Sequence, residues 1–400
     1  MENKKIVLAF SGGLDTSYCV KYLSEVQGLE VHSAFVHTGG FSKSEIDEIE
    51  QNAYQLGVKS HKTLEKTEEF YQKAIKYLLF GNVLRNNTYP LSVSAERAFQ
   101  AKAIAEYAQL INAGKVAHGS TGAGNDQVRF DLMINVLAPE IEIVTPIRDQ
   151  KLSRKDEIEF LHSHGVQKEW SKAQYSINKG LWGTSVGGAE TLTSNKPLPE
   201  SAWPTQVTKS EPVDITLQFE KGECVALNGK IMPPTELIFK LQELASPYGI
   251  GRDVHVGDTI IGIKGRVGFE AAASLILIKA HHLLEKHTLS KWQMQWKSQL
   301  GDWYGMMLHE AQYLEPVMRN IEDFMEGTQS SVTGKVFITL YPYRFQLNGI
   351  ESDFDIMQSE AGQYGEMNNA WTGEDVKGFT KILSNASKLY YQVNKLEKNA

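Results

Sequence analysis

The chain has 400 residues, 42% of them hydrophobic and 22% charged, and a formal net charge of −7. That length accommodates two domains with a substantial core, and the acidic balance gives no electrostatic footprint for nucleic acid, which argues against a nucleic-acid partner. Cys19 and Cys224 form no CxxC or metal spacing, the longest aliphatic run, 275–278, is far too short to span a bilayer, and no signal-peptide pattern precedes the first apolar run, so no membrane contact and a cytoplasmic location are expected.

The first apolar run, 6–10, has the character of a strand and leads through Ala9-Phe10-Ser11-Gly12-Gly13-Leu14-Asp15-Thr16-Ser17 into a helical run over 16–27. A helix N-terminus at such a turn presents unpaired N–H groups and the positive end of the peptide dipoles, and Gly12 and Gly13 let the backbone close on an anion. Ser11, Thr16 and Ser17 add hydroxyls, while Asp15 is suited to a metal ion or to capping the helix. No Lys follows the glycines and no G-x-G-x-x-G is present, so neither the Walker loop nor the dinucleotide fingerprint applies. The spelling Ser-Gly-Gly-Leu-Asp-Thr-Ser instead resembles the PP-loop of the ATP-pyrophosphatase superfamily, whose members cleave ATP between the α- and β-phosphorus.

Strand-like runs at 31–36, 58–63, 116–118 and 141–145 then alternate with helical runs at 44–56, 68–80, 95–112, 125–138 and 154–164. This alternation predicts an α/β domain over 1–168, a parallel sheet whose ligands bind beyond the carboxyl ends of its strands. Val36-His37-Thr38-Gly39-Gly40, closing the second strand, is expected beside the first loop. The helix over 95–112 buries Ala98, Ala101, Ile104, Ala105, Ala108 and Ile111 at three-to-four spacing, with Gly114 ending it. A second glycine-rich loop follows the next strand, His118-Gly119-Ser120-Thr121-Gly122-Ala123-Gly124, and opens a helix carrying Asn125, Asp126 and Arg129. Thr121 and Asn125 can hydrogen-bond a carboxylate, Asp126 can receive an ammonium, and Arg129 offers a bidentate fork.

Residues 169–372 read as an α+β domain. It opens on a long irregular segment containing Ser176, the Gly-rich run 180–188 and the Pro-containing run 196–204, suited to a lid. Strands are expected at 215–219, 224–227, 335–340 and 344–347, with turn signals at Asn228-Gly229 and Asn348-Gly349, and helices near 235–245, 270–289, 302–314 and 316–326. His281, His282 and His287 offer no i, i+4 ligand pair and read as packed or surface histidines. The stretch 373–400 reads as a terminal helix with Val376, Phe379, Ile382, Leu383, Leu389, Val393 and Leu396 apolar.

Taken together, the two loops, Tyr89 through Arg97, Trp182-Gly183-Thr184-Ser185, the 261–266 stretch Ile-Gly-Ile-Lys-Gly-Arg and the helix after Gly378-Phe379 resemble the argininosuccinate synthetase family nearly end to end. The resemblance implies a reaction in which the ureido oxygen of citrulline attacks the α-phosphorus of Mg-ATP, pyrophosphate leaves, and the aspartate amine displaces AMP. It implies ATP contacts from Ala9, Phe10, Ser11, Gly12, Gly13, Leu14, Asp15, Thr16, Ser17, Val36 and Gly119, aspartate contacts from Thr121, Asn125 and Asp126, and citrulline contacts from Tyr89, Ser94, Asn125, Arg129, Ser176 and Ser185. It also implies a homotetramer in which the terminal helix, 373–400, reaches neighbouring subunits. Stabilisation of the leaving pyrophosphate needs oriented donors and Mg²⁺ rather than a covalent nucleophile, and none is expected.

Three positions depart from that family: Ala123 stands where it has Lys, Gly257-Asp258-Thr259 where it has Glu-Asn-Arg, and Phe269 where it has Tyr. Loss of the Glu and the Tyr removes a carboxylate suited to an α-ammonium and a phenol, with Asp258 a neighbouring substitute. Two substrates fit this pattern: free citrulline in a diverged lineage, or a citrulline acylated on its α-nitrogen. Another PP-loop adenylating enzyme and a non-catalytic nucleotide binder are the more distant alternatives.

Overall fold

Five parallel strands, β1 (Lys5–Ala9), β2 (Glu30–His37), β3 (Ser60–Glu65), β4 (Lys115–Ala117) and β5 (Glu142–Val144), form a sheet ordered β3-β2-β1-β4-β5 in the computed structural model, which describes residues 3–168, 170, 175–359 and 370–394. Every neighbouring pair is parallel. The centre of β1 is buried on both faces, and strand alternation divides its side chains between two cores. Val7 packs in the core shared by helices Glu96–Leu110 and Asp126–Leu137, while Ile6 and Leu8 pack with helices Leu14–Lys21 and Lys43–Leu56 on the other side. The chain builds outward from β1 through β2 to β3, then returns to β1's other flank at β4. The switch point at which such sheets bind ligands therefore lies between β1 and β4, where both glycine-rich loops begin.

The expected helix over 16–27 is an α-helix, Leu14–Lys21, continued by a π turn, Tyr22–Val26. Helix Glu96–Leu110 buries Ala98, Ala101, Ile104, Ala105 and Ala108 as its spacing predicts. Its end differs from expectation: Asn112 takes the left-handed position with φ 52°, and Gly114 instead abuts the Asn3 side chain.

Two antiparallel sheets follow. One, ordered β10-β9-β8-β13-β14, contains β8 (Val213–Glu220), β9 (Glu223–Leu227), β10 (Lys230–Ile231), β13 (Gly334–Tyr341) and β14 (Arg344–Glu351). Asn228 and Gly229, with φ of 51° and 76°, make the two-residue turn between β9 and β10. Asn348-Gly349 is not a turn: it lies inside β14, where the register against β13 shifts by a bulge, and the hairpin reverses at Tyr343 with φ 62°.

The other sheet was not legible. Its strands, β6 (Ser176–Gly180), β7 (Gly183–Gly187), β11 (Arg252–Asp258) and β12 (Lys264–Glu270), are ordered β11-β12-β7-β6. The segment expected to be irregular thus contains a hairpin, whose sequences SINKG and GTSVG carry too few apolar residues to show a period. The helix expected near 302–314 runs from Lys291–His309, started by a reciprocal cap between Ser290 and Gln293. His281 is fully buried, bonding Asn82 and Gln329 from its two ring nitrogens.

By packing, the chain divides into two units, Met1–Asp353 and Phe354–Ala400. The second contains helices Gly373–Leu383 and Asn385–Asn394, the first started by a Thr372–Asp375 capping box. Phe379 and Ile382 are 63% and 71% exposed; Leu396 lies outside the described residues. No described helix is long and apolar enough to cross a membrane.

Candidate active site

At the carboxyl ends of β1, β2 and β4 the structure opens a cleft of about 880 Å³. Ala9, Phe10, Ser11, Gly13, Leu14, Asp15, Thr16, Val36 and Gly119 line its nucleotide-loop side, Thr121, Asn125 and Asp126 the second loop, and Tyr89, Ser94, Arg129, Ser176 and Ser185 the remainder. Of the residues given a ligand contact by the resemblance, Gly12 and Ser17 alone stand behind the wall. Gly12 shapes the loop with φ 76°, its carbonyl held by Asn52 Nδ2 at 3.3 Å, and Ser17 Oγ donates to the Gly13 carbonyl at 2.7 Å.

The first loop leaves donors free for an anion. Gly13 is the N-cap of helix Leu14–Lys21 and, having no side chain, makes no cap hydrogen bond to the first-turn N–H groups. Asp15, which could have capped that helix, instead hydrogen-bonds the buried Glu157; desolvation first, and then the Asp15 charge, push the Glu157 carboxyl up to about 8. The second loop approaches closely. A Cβ on Gly119 would stand 3.1 Å from Asp15 Cβ, so only glycine permits this contact without a shift.

Asp126 is held from two sides. Arg97 Nε lies 3.1 Å from Oδ2 and Arg129 Nη1 2.9 Å from Oδ1, and against the desolvation of the site these guanidinium groups keep the carboxyl below its ordinary value. Arg97 also donates to Gln100 Oε1 at 2.7 Å and Asn178 Oδ1 at 3.2 Å, joining helix Glu96–Leu110 to β6. Arg129 Nε donates to the His309 carbonyl at 3.0 Å, and its Nη2 is buried with no partner among the described residues. The fork read from the sequence is therefore half engaged by protein. Asn125 Oδ1 accepts from the Ile260 N–H at 2.9 Å, pinning the β11–β12 turn to the second loop.

Sequence reasoning missed several lining residues, including Glu96, Arg97, Lys179, His255 and His309. Glu96 and Arg97 carried a signal: two charges opening an otherwise alanine-rich buried helix need partners. Glu96 accepts from Thr38 Oγ1 at 2.9 Å and is 1% exposed; desolvation pushes its carboxyl up to about 7, against the pull of Arg97. His255 and His309 carried none, since their strand and helix ends are brought to the cleft only by folding.

The three family departures fall differently. Ala123 is an exposed loop residue. Gly257 lines the cleft, and a Cβ there would meet His255 Nε2 at 2.5 Å, so the imidazole fills the place of a side chain. Phe269 is fully buried with its ring 5.3 Å from that of Tyr89, supporting the cleft from behind. Asp258 does not stand in for the missing carboxylate: its side chain is exposed and paired with Lys264 at 2.7 Å.

Two family models match the chain, the arginosuccinate synthase N-terminal HUP domain over residues 5–167 and the arginosuccinate synthase C-terminal domain over residues 175–390. The chain is 37% identical over 407 residues to an argininosuccinate synthase of Xanthomonas campestris, covering 99% of this chain and all of the relative. It is 36% identical to that of Pyrococcus furiosus, covering 97% of this chain and 95% of the relative, and 36% identical to that of Methanocaldococcus jannaschii, covering 90% and 91%. With loops, cleft and both halves matched, the chain belongs to the argininosuccinate synthase family.

Proposed function

We propose that the protein is an ATP-dependent ligase that joins citrulline and aspartate to give argininosuccinate, AMP and pyrophosphate, a step of arginine biosynthesis. The observation that carries this reading is the convergence of two glycine-rich loops, from adjacent strands β1 and β4, on one cleft that also holds Tyr89, Ser94, Ser176 and Ser185. The ureido oxygen attacks the α-phosphorus and its bond to the bridging oxygen breaks; the aspartate amine then bonds to the ureido carbon, AMP leaves, and a proton is released. The uncapped N–H groups after Gly13 receive phosphate oxygens, with Val36 and Gly119 flanking the nucleotide. Thr121, Asn125 and Asp126 hold aspartate, while Tyr89, Ser94, Arg129, Ser176 and Ser185 position the ureido substrate.

Mg²⁺ enters with the nucleotide's phosphates, and Asp15 is the carboxylate at the loop able to reach it. Among the described residues no group of three or more His, Cys, Asp or Glu side chains forms a metal site of its own, so the phosphates supply most of the ion's ligands. We assign residues 1–168 to nucleotide binding, 169–372 to the amino-acid substrates and 373–400 to assembly of a homotetramer, for which the exposed Phe379 and Ile382 supply an apolar face. Two buried free thiols, Cys19 and Cys224, suit a cytoplasmic enzyme. The test is release of pyrophosphate from ATP that requires a citrulline substrate, followed by AMP and a C–N ligated product that require aspartate; nucleotide binding without pyrophosphate release refutes the reading.

A further inference from the structure

A free α-amino acid needs two kinds of partner at its head, donors for the carboxylate and an acceptor for the ammonium. Among the described residues, the cleft's end around Tyr89 holds guanidinium groups and neutral donor–acceptor side chains but no unpaired carboxylate. Arg129 Nη2, Ser94 Oγ, His255 Nδ1 and His309 Nδ1 are all buried there with no hydrogen-bond partner among the described residues, on side chains at least nine-tenths buried that line the cleft. Behind the lining stands Arg85, close enough to influence both histidines, whose Nη2 reaches the Asp258 carbonyl at 3.2 Å while its Nε and Nη1 are buried with no partner among the described residues. Each carboxylate lining the cleft near these groups already has a cationic partner: Asp126 has Arg97 and Arg129, Asp258 has Lys264, and Glu96 has Arg97 at 3.4 Å. At Gly257 there is no side chain, and the His255 ring, stacked 5.0 Å from Tyr89, occupies the space above it.

The electrostatics agree with the geometry. Burial depresses both imidazoles, His255 to about 4 with help from Arg85 and His309 to about 2 with help from Arg129 and Arg85. Both rings are therefore neutral, the positive charge at this end comes from Arg85 and Arg129, and an ammonium placed there would meet these guanidinium groups and, among the described residues, no unpaired carboxylate.

Resting on the reading that this cleft takes a citrulline, we propose that the citrulline it prefers is acylated on its α-nitrogen by a dicarboxylic acid, so that its head presents two carboxylates and no ammonium. One carboxylate engages Ser94 and Arg129; the other lies toward His255, His309 and Arg85, and the amide removes the need for an acceptor. The ureido end reacts as before: the α-phosphorus–oxygen bond forms as pyrophosphate leaves, the aspartate nitrogen displaces AMP with loss of one proton, and the acyl group stays on the product.

The test compares citrulline, N-acetylcitrulline and N-succinylcitrulline as substrates of the full-length enzyme with ATP and aspartate. The proposal expects kcat/KM for N-succinylcitrulline to exceed that for citrulline by 100-fold or more, with N-acetylcitrulline between. It expects Arg85→Gln to raise KM for N-succinylcitrulline at least tenfold and so erase its margin over N-acetylcitrulline. Direct binding to wild-type enzyme without ATP should follow the same order. Equal or better use of free citrulline overturns the proposal while leaving the ligase reading intact. Pyrophosphate release with none of the three overturns the ligase reading itself, and the proposal with it.

Discussion

Arg97 Nε sits 3.1 Å from Asp126 Oδ2, so the first turns of helices Glu96–Leu110 and Asp126–Leu137 are fastened across the mouth of the cleft by one ion pair. Because Arg97 also reaches Gln100 and Asn178, it sets where Asp126 points rather than merely neutralising it. Lysine has charge but no fork. Arg97→Lys should lower kcat/KM for aspartate about tenfold, ~1.4 kcal/mol, with a smaller effect when ATP is varied. Steady-state kinetics with each substrate varied in turn would refute this if ATP suffered equally.

Gly12 has φ 76°, and a Cβ there would find only ordinary contacts with Ile49 and Asn52 at 3.5 and 3.6 Å. The expected damage from Gly12→Ala is therefore backbone strain of ~1–2 kcal/mol, which reshapes the loop that faces phosphate. Pyrophosphate release should fall tenfold or more. Gly57→Ala is the control, since Gly57 has φ 96° and open space at the end of helix Lys43–Leu56; it should cost similar stability and leave the KM for ATP unchanged.

Burial holds the Glu96 carboxyl at about 7, above its ordinary 4.5. The unfolded chain therefore releases this proton first as pH rises, and the sign follows: the contribution to stability is full below 4.5 and is lost through 7. The loss amounts to about 3 kcal/mol. Glu96→Gln keeps an acceptor for Thr38 and removes the ionisation, so its stability should fall less than wild type's between pH 4.5 and 7. Urea unfolding across that range gives the answer, and parallel profiles would count against it.

Deep in the second half, Lys297 Nζ lies 2.8 Å from Glu285 Oε2, both side chains almost wholly buried, with the Phe80 carbonyl, Asn82 and Gln329 bonded to the pair. Removing one charge strands the other. Lys297→Met should destabilise by about 3–5 kcal/mol, and Lys297→Met with Glu285→Gln should recover a large part of that. Denaturant midpoints of the three proteins measure it.

Local sequence determined the parallel sheet, because strand runs apolar enough for two-sided burial alternate with amphipathic helices, and it located both anion-facing loops, because glycine, hydroxyl and carboxylate between a strand and a helix have a local meaning. It did not determine the β6–β7 hairpin or β11–β12, whose polar, glycine-rich strands hold their places by pairing with partners up to some ninety residues away. The cationic end of the cleft belongs to the same category. Arg129 was legible as a fork beside the second loop, but Arg85, His255 and His309 are unremarkable in three separate segments, and only packing brings their nitrogens beside it.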